Sequence, residues 1–275
     1  MRYFIYLSYD GTRYHGWQIQ PNALSVQEEL QRCLSTVLRI DIPVTGAGRT
    51  DTGVHARMMV AHFDYKAQQP TRSESADNAA TDNVINTSCN VSNNDATDKW
   101  CQQLTYKLNR ILPPDIAIQR IEPVADDMHA RFSATSRTYH YYIHTRKEPF
   151  CRSYSLEVHY PLDFNAMNEA GRHLLTVSDF ASFCKVGADN KTTICDVRTA
   201  RWVQTSETEW YFEITADRFL RNMVRAVVGT LIDVGRGKLT LSAFKQIIEA
   251  HRRTAACESM PAHALFLEDI RYEKE

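Results

Sequence analysis

The chain has 275 residues, 32 basic and 33 acidic, with a formal net charge of −1, 43 % hydrophobic and 24 % charged side chains. That balance is ordinary for a soluble globular protein, and the bulk charge gives no sign of a nucleic-acid partner. A polyanionic partner would have to be met by local patches. No apolar run is long enough to span a bilayer, so no membrane association is expected. The N-terminus alternates like a strand rather than a signal peptide, and the seven cysteines contain no C-x-x-C pair, so reduced thiols in the cytoplasm are expected.

Residues 2–9 alternate as a first strand. A loop built on Gly11, Gly16 and Pro21 follows, and Ser25 with Glu28 forms a Ser-x-x-Glu box at a helix start. Val26, Leu30, Leu34, Val37 and Leu38 then recur at helical spacing. "RIDIPVT", residues 39–45, reads as a short strand leading into "GAGRTDTGVHA", residues 46–56, after which "HARMMVAHFDY" returns to strand character. The motif is therefore a tight connection between strands, where glycine permits backbone shapes that other residues resist. Residues 68–99, rich in Ser, Thr, Asn, Asp and Ala, read as a long polar loop. A helix is expected over 98–112, ended by Pro113 and Pro114, then a strand over 115–124.

The second half repeats this alternation. "SRTYHYYIH" is a strand, and residues 163–175 a helix with Phe164, Met167, Ala170 and Leu174 on its apolar side. Strands follow at 197–205 and 209–216, then helices over 217–234, with Asp217 as N-cap, and 242–251, then a strand over 264–272. Strands mixed with about two helices in each half predict an α+β fold of two related subdomains, residues 1–125 and 126–275.

The chemistry concentrates in residues 46–56. The stretch is no P-loop, since no Gly-Lys-Ser/Thr follows, and no dinucleotide fingerprint, since Asp51 stands where the third glycine belongs. An Asp before Thr-Gly can simply close an Asx-turn. The alternative is a working acid: Arg49 and His55 add polar groups around it, and a nearby Arg keeps an aspartate ionised and oriented as a nucleophile or base requires. Asp-Thr-Gly also occurs in aspartic proteases, but a nearby cation opposes the shared proton on which that chemistry depends. Tyr139 is either a core aromatic or a flat platform for a nucleobase. Arg218, Asn222 and Arg225, at spacings of four and three, form either a solvated helix face or a grip for phosphate or a carboxylate. No paired His or Cys spacing suggests a metal.

Taken in order, "YDGTRYHGWQ…SVQEEL", "GAGRTDTGVHA", "HARFSATSRTYHY" and "FLRNMVRAVVG" resemble the tRNA pseudouridine synthase A family over nearly the whole chain. The resemblance implies two α+β subdomains whose sheets join into one extended antiparallel sheet, helices packed on one side, a central RNA-binding cleft and a homodimer. It implies Asp51 as catalytic residue and Tyr139, Arg49 and Arg225 as substrate-binding: the tyrosine on the base, Arg49 holding the extruded nucleotide, Arg225 able to pair with the aspartate. The implied substrate is tRNA, at uridines 38 to 40 of the anticodon stem-loop, converted to pseudouridine with no cofactor. A catalytically inactive RNA-binding homologue is the alternative. Arginines of "SRTYHY" and of the helix expected at 217–234 are candidates for phosphate contacts. The stretch at 68–99 departs from the family, whose connection there is shorter.

Overall fold

The computed structural model describes residues 1–66, 93–187 and 191–273. The polar loop expected from 68 lies outside them as far as residue 92. In chain order the elements are β1 (Arg2–Tyr9), α1 (Val26–Leu38), β2 (Thr45–Gly46), β3 (His55–Asp64), α2 (Asn93–Ile111), β4 (Ile116–Val124), β5 (Ser136–His144), β6 (Leu156–Glu157), α3 (Phe164–Leu174), β7 (Val197–Gln204), β8 (Glu209–Ala216), α4 (Met223–Gly235), α5 (Leu241–Glu249) and β9 (Leu265–Arg271). Three expected element boundaries need correction.

First, residues 93–99 are not loop but the opening turns of α2. Asn, Asp and Thr are poor helix-interior residues and conceal this start, while Cys101, Leu104 and Leu108 supply the buried stripe that holds the helix down. Second, the strand expected at 39–45 shrinks to Thr45 and Gly46, which pair with His62 and Ala61 of β3. The chain leaves α1 through a left-handed Arg39 (φ 58°). Side chains of α1 then take its amides: Ile42 N donates to Ser35 Oγ at 3.0 Å and Val44 N to Gln31 Oε1 at 3.3 Å. Third, α4 starts at Met223, not at 217, with Asn222 left-handed (φ 66°) at its cap. The Asp217 carboxylate accepts instead from the amides of Asp196 (2.7 Å) and Arg218 (2.8 Å). Arg218 is therefore off the helix, and the polar stripe of Arg218, Asn222 and Arg225 does not exist as a helix face.

The strands form one sheet in the order β4-β1-β3-β9-β5-β8-β7, with β2 added to β3 and β6 to β5. The last strand thus lies in the middle. β9 runs antiparallel to β5 and parallel to β3, where His55 faces Phe266 and Ala56 faces Leu267. The sheet is mixed rather than wholly antiparallel. β3 and β5 run in opposite directions across the seam, so one strand between them must be parallel to one of them.

Two buried clusters lie along the sheet. One gathers Phe4, Leu7, Leu30, Leu34, Phe63 and Leu108. The other gathers Phe180, Phe183, Phe212, Val227, Leu231 and Phe244. β9 gives Leu267 and Ile270 to the first and Leu265 to the second, and Tyr139 of β5 packs against both. The seam is therefore apolar on each side, and residues near it are held from both halves.

His62 of β3 is buried and its Nδ1 accepts from the Ala130 amide at 3.2 Å. Burial first, then the nearby Arg2 charge, lowers its pKa from 6.5 to about 4. Between those values the unfolded chain binds a proton that the native ring refuses, so stability falls as pH drops through that window. Urea unfolding should lose on the order of 2–3 kcal/mol to this group between pH 7 and 4.5. His62→Gln keeps a side-chain acceptor without titrating and should flatten that part of the slope. An unchanged slope in the variant would remove His62 from the account.

Candidate active site

The connection between β2 and β3 is shaped by three segments pressing together. The amide of Trp17 donates to the Thr50 carbonyl at 3.3 Å, and that of Gly53 to the Tyr14 carbonyl at 3.3 Å. Tyr9 and Thr50 share a buried hydroxyl–hydroxyl hydrogen bond of 2.8 Å. Val54 N then closes the turn on the Asp51 carbonyl at 3.1 Å. Gly16 sits at φ +93°, and a Cβ there would strike the Thr50 carbonyl oxygen. The segment "YDGTRYHGWQ" is thus the bed on which the motif rests.

The motif's glycines differ in what they do. Gly46 makes room for the Trp17 indole, and Gly53 takes the left-handed turn (φ +76°). Gly48 alone among the three faces open space, with nothing within 4 Å of its would-be Cβ.

Asp51 emerges from this turn with its side chain 28 % exposed, one guanidinium opposite each oxygen: Arg221 Nε stands 3.7 Å from Oδ1 and Arg225 Nη1 3.7 Å from Oδ2. Among the described residues no hydrogen bond to the carboxylate is formed. The two cations therefore bracket it from both sides without occupying its lone pairs at close range. Arg225 is fixed: its Nε donates to the Met260 carbonyl at 2.6 Å, and its own carbonyl accepts from the Met260 amide at 3.1 Å. Arg221 sits two residues before α4, with Leu220 buried behind it and its carbonyl held by the Lys185 amide at 3.0 Å.

Tyr139 lies on β5 with the Phe219 ring edge-on at 5.0 Å and 85°. Burial first pushes its hydroxyl up to about 12, the Asp51 charge adding to the rise and Arg137 opposing it. The phenol is neutral at pH 7, and no hydrogen bond to its hydroxyl is formed among the described residues.

Two expected neighbours of Asp51 stand elsewhere. Arg49 is exposed and makes no ion pair with the acid among the described residues. His55 is buried: its Nδ1 accepts from the Gly11 amide at 3.0 Å and lies 3.0 Å from Asp10 Oδ1, while Nε2 bonds the His263 carbonyl at 3.0 Å. Burial lowers the His55 pKa. Asp51 is flanked by Arg221 and Arg225 rather than by Arg49 and His55. The sequence reading covers Arg221 only as one of the arginines of the helix expected at 217–234 and does not pair it with Asp51. Its signal was present as the four-residue spacing to Arg225 in "FLRNMVR".

Arg137 of "SRTYHY" is likewise not a phosphate contact. Its Nη1 donates to the carbonyls of Asp217 (2.6 Å) and Ala134 (3.2 Å), and its Nη2 to those of Arg131 (2.6 Å) and Ala47 (3.2 Å). The guanidinium is spent tying the motif to two other segments. Among the described residues no three His, Cys, Asp or Glu side chains form a metal-ligating group, and no helix is long and apolar enough to cross a membrane.

An ion-paired carboxylate that accepts no hydrogen bond among the described residues, with a neutral phenol and an open stretch of backbone near it, has the groups that acid–base or nucleophilic chemistry uses. Residues 170–273 match a family model described as tRNA pseudouridine synthase. The chain is 51 % identical over 274 residues to tRNA pseudouridine synthase A of Bacteroides fragilis, covering 100 % of this chain and 97 % of that protein. It is 35 % identical over 277 residues to tRNA pseudouridine synthase A of Bacillus subtilis, covering 99 % and 100 % respectively. The chain belongs to the tRNA pseudouridine synthase A family.

Proposed function

We propose that this protein isomerises uridine to pseudouridine at positions 38 to 40 of the tRNA anticodon stem-loop, with Asp51 engaging the extruded nucleoside. The observation that carries the reading is the carboxylate of Asp51, bracketed by Arg221 and Arg225 at 3.7 Å each and free of hydrogen bonds among the described residues. The reaction breaks the N1–C1′ bond and forms C5–C1′; C5 loses a proton and N1 gains one. No electrons are transferred, so the chemistry calls for neither reductant nor energy donor.

The base must first leave its stack, at a cost of a few kcal/mol. Gly48 leaves room for RNA backbone, and Arg49, exposed beside it, holds the displaced nucleotide. Tyr139 lies against the uracil, its ring restrained by Phe219. The carboxylate can attack C1′, add to C6, or take the 2′ proton. In each route Arg221 and Arg225, one opposite each oxygen, orient it. The subdomains 1–125 and 126–275 flank a basic cleft, and the enzyme works in the cytoplasm as a homodimer, one subunit gripping the tRNA body while the other holds the target. An inactive RNA-binding homologue is disfavoured because it would have no use for an acid so poised.

Purified protein, without additives, should release tritium from tRNA labelled at uracil C5. No release, or release only with added nucleotide or reductant, would sink the reading. If Tyr139 works by stacking, Tyr139→Phe should retain activity within a few-fold, whereas Tyr139→Ala should lose roughly 1–3 kcal/mol of substrate stabilisation. Equal losses in the two variants would place the effect in the hydroxyl instead.

A further inference from the structure

Phe132 is 76 % exposed, yet its ring is held. It lies on the His129 imidazole, centroids 4.4 Å apart at 34°, and His129 meets the buried His62 ring at 4.6 Å and 64°. The amides of Arg131 and Phe132 both donate to His129 Nδ1, at 3.1 and 3.3 Å. That nitrogen is therefore an acceptor, and the neutral ring carries its proton on Nε2. Ser133 closes the turn, its amide donating to the His129 carbonyl at 2.9 Å and its hydroxyl accepting from the His129 amide at 2.9 Å. Three rings thus run from the core to the surface, and the outermost is the most exposed. The Arg131 guanidinium, also exposed, stands 5.8 Å from its centroid.

This turn is tied to the site. The Arg131 carbonyl accepts from Arg137 Nη2 at 2.6 Å, and the same guanidinium holds Ala47 of the Asp51 motif at 3.2 Å and Asp217, at the root of the Arg221 loop, at 2.6 Å. The face of the ring left in water gains nothing from packing. A ring already restrained loses little entropy when a flat partner covers it.

We propose that Phe132 and Arg131 form a nucleotide platform on which an unpaired base of the tRNA stacks while the guanidinium takes the adjoining phosphate. The proposal rests on the reading of the protein as a tRNA-modifying enzyme and adds a substrate-binding residue to it. A π face with a cation beside it complements a flat base with its phosphate. A second copy of the chain would instead have to cover the ring with apolar surface while accommodating Arg131. Stacking accepts any base, so the platform supplies affinity and position rather than sequence choice.

The test measures tRNA Kd in an Asp51→Asn background, which needs no turnover, and KM in the otherwise native enzyme. Phe132→Ala should weaken Kd and raise KM by about 5- to 150-fold, and Phe132→Trp should restore both to within about threefold of the parent. The thermal midpoint should stay put, since the side chain is exposed. An alanine variant that binds tRNA as tightly as its parent overturns the proposal. So does one that changes self-association in sedimentation while tRNA affinity is unmoved, which would assign the ring to a protein contact. Should the native enzyme release no tritium, the functional reading fails, and the platform is still judged by Kd alone.

Discussion

Asp51→Asn should lower kcat by on the order of 10⁴-fold or more, with tRNA affinity unchanged or slightly tighter. The asparagine keeps the shape of the side chain and loses its charge and its nucleophilic or basic oxygen. Each route open to the carboxylate needs that oxygen, so no bypass remains. Affinity is spared because Arg221 and Arg225, relieved of their counter-ion, face the RNA as uncompensated cations. Stability should move by less than about 1 kcal/mol, because the pairs are partly exposed and loose at 3.7 Å. The check is single-turnover tritium release at saturating protein, alongside filter binding of the same tRNA. Activity within tenfold of the parent would remove Asp51 from the reaction.

Much of this arrangement was legible because it is local. β1, β3, β5 and β8 follow from strand character, α1 from the Ser25 cap and an apolar stripe, and α3 from its apolar positions; in the structure Ser25 and Asp163 each accept the amide three residues on. Asp51 and Tyr139 were visible as an acid among glycines and an aromatic on a strand. What failed was set through space. Residues 39–45 have strand composition, but Gln31 and Ser35 of α1 take their amides. Asp217 has the form of an N-cap, but the amide of Asp196, across the chain, claims its carboxylate. The N-cap of α4 is instead Asn222, five residues further on, which leaves Arg218 off the helix and Arg221 beside Asp51. The direction of β9 was hidden for the same kind of reason, since a strand's polarity depends on neighbours placed by the rest of the sheet.

Arg137→Ala should cost about 3–5 kcal/mol of unfolding free energy and most of the activity. The guanidinium is buried enough for its pKa to be lowered, and carbonyls from residues 47, 131, 134 and 217 satisfy it. Removing it leaves those acceptors without their donor and opens a void between the Asp51 motif and the loop that carries Phe219 and Arg221. Arg137→Lys should recover only part of the loss, because one ammonium cannot span the fork of a planar guanidinium. Urea unfolding gives the energy, and the salt dependence of tRNA binding separates the two possible roles. A residue gripping phosphate would, when removed, reduce the logarithmic salt slope by about one and leave the fold alone. A residue tying segments together should leave the slope of the folded protein unchanged while stability falls. An alanine variant of undiminished stability with a shallower slope would return Arg137 to the RNA surface and cut the link between the Asp51 motif and the Arg221 loop.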